Sequence, residues 1–178
     1  ANPTANPTAN PTPTERRPFI SEIHYDDAGA DNGEGIEVSG AAGTSLDGYQ
    51  LELYNGLNGA RYGGVDLAGE IDDEGGVGFG ALFFAQAGLQ NGAPDGVALV
   101  GPGGEVIEFL SYEGSFTASS GAASGLSSTE IGVAESPSNT GHGQSLQIVG
   151  VPGAFLWTGP TTWSPGTTGT KSVDRSAG

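Results

Sequence analysis

The chain has 178 residues, enough for one domain with a real core and too few for two comfortable ones. Five Lys plus Arg stand against 21 Asp plus Glu, a net charge of −16, so its surface repels nucleic-acid phosphates and anionic lipid, and cations are its natural small partners. There is no Cys, which excludes disulfides and thiolate metal sites, and no apolar run of membrane-spanning length, which excludes helical membrane insertion.

The chain opens on three copies of ANPT, followed by Pro13 and Thr14. A Pro in every copy forbids a helix or a central strand, so residues 1–17 read as an extended polyproline-like arm. Asn-Pro-Thr is no N-glycan acceptor, while Thr4, Thr8, Thr12 and Thr14 are candidate O-glycan sites. With Ala at its head, the chain is expected to be an exported product, extracellular or at the cell surface.

Residues 18–178 form the expected folded domain. FISEIHY (19–25) alternates as a strand, and GIEV begins the next. Between them lies an acidic loop holding Asp26, Asp27, Asp31, Asn32 and Glu34, with Glu37 just beyond. Short oxygen-bearing side chains on a Gly-rich turn between rigid strands suit a hard cation, Ca²⁺ first of all. The spacing is not that of an EF-hand, and the competing reading is a solvated loop whose Asp residues cap turns.

YQLELY (49–54) alternates as a half-buried strand, with Asn-Gly turn dipeptides after it. Residues 65–71 form a weak strand, and Asp72, Asp73 and Glu74 a solvated turn. GFGALFFA (78–85) is a continuous apolar run, read as a strand buried on both faces. The QNGAPD loop offers Asn91 and Asp95 as further ligands for the same cation, their other role being turn-making. Residues 97–100 and 106–110 make a hairpin in which Glu105 and Glu108 meet water. Residues 111–139, rich in Ser, Gly and Ala, wrap a sheet edge as ordered loop. Strands follow at 144–149 and 155–157, and Trp163 is a possible anchor in the tail.

Nothing recurs at helical spacing, so the fold class is all-β: a sandwich of about eight or nine short strands. Phe79, Phe83, Phe84, Phe109, Trp157 and Tyr49 read as packing rather than a sugar platform. His24, with Glu22 as its candidate partner, and His142 are the only histidines, and no G-x-S-x-G exists, so catalysis is not expected.

FISEIHYDDAGADNGEGIEV, LDGYQLELYNG, LQNGAPDGVALVGPGGEVIEFLSYEGSF, STEIGVAES and GQSLQIVG, in that order, resemble the bacterial lamin-tail domain, an immunoglobulin-like β-sandwich. The resemblance covers roughly residues 18–165. It implies a binding or structural module without catalytic activity, of a kind found on exported bacterial proteins. One departure is Gly35, where the family often has a bulky residue, which implies looser packing there. Two functions follow as expectations. In the first, the module assembles into a filament or surface layer, each copy lending its N-terminal arm to the next, with Ca²⁺ in the acidic loop. In the second, it is an accessory domain of a larger exported enzyme such as a nuclease, with the ANPT repeat as linker.

Overall fold

The computed structural model describes residues 17–150 and 155–168. The ANPT repeat, with Thr4, Thr8, Thr12 and Thr14, lies outside the described residues. Among the described residues ten strands occur, one or two more than the sequence predicts: β1 (Phe19–His24), β2 (Gly35–Ala41), β3 (Gln50–Asn55), β4 (Ala60–Asp66), β5 (Phe79–Ala85), β6 (Asp95–Val100), β7 (Val106–Tyr112), β8 (Thr129–Glu130), β9 (Gln144–Val149) and β10 (Leu156–Thr162). They form two five-stranded sheets, ordered β10-β9-β1-β2-β5 and β4-β3-β6-β7-β8. Every pairing is antiparallel except β7 with β8. There is no α-helix among the described residues.

The alternation seen in the sequence fills the space between the sheets. Ile20, Ile23, Ile36, Val38 and Leu146 from one sheet meet Leu51, Leu53, Val97, Leu99 and Leu110 from the other. Tyr25 stacks on Tyr112 with ring centroids 3.9 Å apart. Tyr49, Phe84 and Trp157 pack at the margin of this core.

Three expectations are corrected here. Strand β3 is covered on both faces, not one, because Ala118 and Ala123 from the long loop after β7 pack over Tyr54, Ala98 and Phe109 on the outer face of the second sheet. The loop is held there by Glu52, which takes the Tyr54 hydroxyl and the Ala122 amide while Arg61 pairs with its other oxygen at 3.0 Å. Strand β5 is apolar on both faces yet sits at a sheet edge, so its burial fades from Phe79 toward Ala85. Glu108 does not face water: it reaches across the sandwich and accepts the Ile20 amide at 2.7 Å. The register shift between Leu99 and Val100 breaks the simple alternation from which its orientation was read.

After β10 the chain returns over the outer face of the first sheet. Trp163 packs on Phe83, ring centroids 5.6 Å apart, and covers Gly33. A Cβ on Gly35 would sit 2.4 Å from the Phe83 ring and 2.5 Å from the Phe84 carbonyl, so the site is tightly filled rather than open, and only Gly fits. Beneath this strap Glu22 and Glu37 face each other across β1 and β2, fully buried. Glu22 accepts from Ser145 and Gln147 and from the Ser164 amide, and Glu37 from Ser21 and the Gly166 amide. The turn at residues 72–74 is not wholly solvated either, since Glu74 receives Thr168.

Candidate metal centre at the acidic end

Register sets which loops meet. His24 opposes Gly35, which opposes Ala85; in the other sheet Asn55 opposes Asp95, which opposes Tyr112. The loops leaving these residues therefore gather at one end of the sandwich, and most of the acidic side chains singled out in the sequence gather with them.

Asp26 is buried, and the Asp31 carboxyl and the Asn91 side chain lie close enough to act on its charge. Burial raises the Asp26 pKa and the Asp31 charge raises it further, against the pull of Asn91 and of the Asp27 amide. Glu34 is also raised, chiefly by burial; its Oε2 accepts the Gly88 amide at 2.6 Å, while buried Oε1 has no partner. Glu113 is raised by burial and by the charges of Asp26 and Asp95. Asp95, the first residue of β6, lies beside this group.

Two residues of the candidate set serve another network. Asp27 Oδ2 lies 3.1 Å from His142 Nδ1 and 3.5 Å from His24 Nε2, and Asn32 offers its carbonyl to His24 Nε2 at 3.2 Å. His24 Nδ1 is 3.0 Å from Glu135 Oε1, not paired with Glu22. Glu135 Oε2 also accepts the Tyr25 and Asp26 amides at 2.6 and 2.9 Å. Both ring nitrogens of His24 thus face acceptors, so both carry protons and the ring is an imidazolium. Burial works against that charge, but the hydrogen bond and charge of Glu135, the charge of Asp27 and the Asn32 carbonyl together lift the His24 pKa to about 9. A ring in this state has no lone pair for a metal or for a substrate proton.

Among the described residues, no three His, Asp or Glu side chains converge as a ready-made metal cage. What the structure does bring together is two carboxylates and one amide: Asp26, Asp31 and Asn91. Charge at this end is not met by arginine, since the two described arginines, Arg17 and Arg61, are engaged by Glu105 and Glu52. Glu113 and Glu135 were not singled out in the sequence. Glu113 has a signal in retrospect, a Glu-Gly pair in which the non-glycine residue takes φ 61°; Glu135 has none, because its partners lie about 110 residues away.

No family model matches the chain, and neither a curated protein nor a solved structure matches it.

Proposed function

We propose that the protein is a non-catalytic, exported module, an immunoglobulin-like sandwich of the lamin-tail kind, that binds Ca²⁺ at its acidic end. The observation that supports this is the Asp26–Asp31 contact. Two neighbouring carboxylates repel one another, and burial adds to the cost of charge at Asp26; a divalent cation between them relieves both. Asn91, whose amide nitrogen serves Asp26 in the ion-free protein, adds a neutral oxygen once its amide turns over, and backbone carbonyls and water complete the six to eight ligands that Ca²⁺ takes. The imidazolium at His24 works against catalysis and for a rigid frame.

Melting with calcium and with chelator tests the reading. For a site of about 0.1 mM, the strength of extracellular calcium modules, 10 mM Ca²⁺ stabilises by about 2.7 kcal/mol and raises Tm by about 5–10 °C. Asp31→Ala, at an exposed position, should fold and lose the shift. An unchanged Tm in wild type would remove the site.

Copies of the module join through the N-terminal arm in this reading. Strand β4 supports it, having among the described residues a strand neighbour on one side only. Negative-stain microscopy of the full chain should show filaments; a monomer persisting at high concentration would dismiss the assembly and leave the calcium site standing.

A further inference from the structure

Asp95 is the first residue of β6 and is 2% exposed. Its Oδ1 accepts the Gly56 amide at 3.1 Å, while its Oδ2, with the Gly92 amide near the carboxyl, completes no hydrogen bond. A carboxylate oxygen withdrawn from water without a completed hydrogen bond is costly, and a bound ligand can supply what is missing. Asp95 lines a cleft of about 330 Å³. Asn55, Gln90 and Asn91 form its polar wall, and Leu57 and Pro94 its apolar one. Leu57 is 88% exposed, an aliphatic side chain held at the rim.

The lining selects among ligands. Asn55 is already used on both atoms, giving its Nδ2 to Gln90 at 2.7 Å and taking the Leu57 amide at 2.9 Å, so a polyol would find few donor–acceptor pairs. A bare metal ion needs more oxygens than the single free one that Asp95 offers, and no acidic trio converges here. One buried anion, an aliphatic rim and a negative surround from Glu113 and Asp26 match an organic cation on an alkyl stem.

We propose that this cleft binds a lysine or arginine side chain presented by a peptide partner, its cationic head on Asp95 Oδ2 and its stem along Leu57 and Pro94. The site is separate from the Asp26–Asp31 contact, although Asn91 touches both.

The test is a nitrogen-15 NMR titration of the full chain in chelator with the N-acetyl methylamides of lysine and arginine, the norleucine analogue serving as the uncharged control. The lysine and arginine probes should shift the amides of Gly56, Gly92 and Asp95 with millimolar affinity, and norleucine should not. Asp95→Asn keeps an oxygen for the Gly56 amide and should weaken binding by about tenfold or more. Leu57→Ala, at the exposed rim, should weaken it by about threefold and keeps the test open if Asp95→Asn fails to fold. Equal shifts with norleucine, no shifts with any probe, or undiminished binding in both variants would overturn the proposal. Because the titration excludes calcium, its outcome is independent of the melting experiment at Asp26 and Asp31.

Discussion

Glu135→Ala is expected to destabilise the fold by about 3–5 kcal/mol near neutral pH, because it removes the partner of a buried imidazolium and of two buried backbone amides at once. For a chain of this size that lowers Tm by roughly 10 °C. The effect depends on pH in a definite direction. His24 has a folded pKa of about 9 against an ordinary value of 6.5, so the stability it contributes is fully present below about 6.5 and is lost as pH rises through 9. Its size is on the order of 2 kcal/mol, after discounting for solvent that reaches the network at exposed His142. Without Glu135 the ring keeps only Asp27 and the Asn32 carbonyl against its burial, so its pKa falls and less stability remains to be lost at high pH. Urea unfolding of wild type and variant at pH 6.5 and pH 10 reads this directly: the gap should narrow at pH 10 by on the order of 2 kcal/mol. A gap of the same size at both values would mean that Glu135 acts through the Tyr25 and Asp26 amides alone.

The same residue shows why the sequence reveals some of this molecule and hides the rest. Strand positions follow from local alternation: YQLELY and QSLQIV name their inward faces without any knowledge of partners, and β3 and β9 lie there. The acidic loop is legible for a similar reason, since Asp26 and Asp31 are near in sequence. Glu135 meets Tyr25 and His24 only after the whole sandwich has closed, and nothing in the Ser- and Gly-rich stretch around it announces that contact. Ala118 and Ala123 are hidden differently. They are 3% and 0% exposed, yet two small side chains among serines and glycines carry no hydropathic period, so the second covered face of β3 could not be read. Asp95 looks like an ordinary turn-former because Pro-Asp-Gly makes good turns; its burial comes from the sheets on either side, Asn55 and Tyr112 flanking it in register.

Glu108 is the opposite case, a carboxylate whose burial harms the fold at neutral pH. It spans the sandwich to the Ile20 amide, and burial, opposed only in part by that amide, pushes its pKa up to about 7 from 4.5. Below about pH 4.5 the group is protonated whether the chain is folded or not. As pH rises from 4.5 to 7 the unfolded chain releases the proton and the folded one holds it, so stability falls across that interval and is level above it. The loss is on the order of 2 kcal/mol once partial exposure is allowed for. Glu108→Gln preserves an acceptor for Ile20 and has no charge to bury. It should therefore match wild type at pH 4 and exceed it at pH 8 by about 2 kcal/mol, raising Tm by about 4–8 °C. Raised pKa values at Asp26, Glu34, Asp95 and Glu113 act in the same direction, so the variant will lose part of the acid-side slope and the remainder will belong to the acidic end. Calcium separates the two contributions: it should flatten the remainder while leaving the Glu108 difference between the proteins intact. If Glu108→Gln is no more stable than wild type at pH 8, then Glu108 is stabilised across the sandwich as a charge, and its burial does not destabilise the fold.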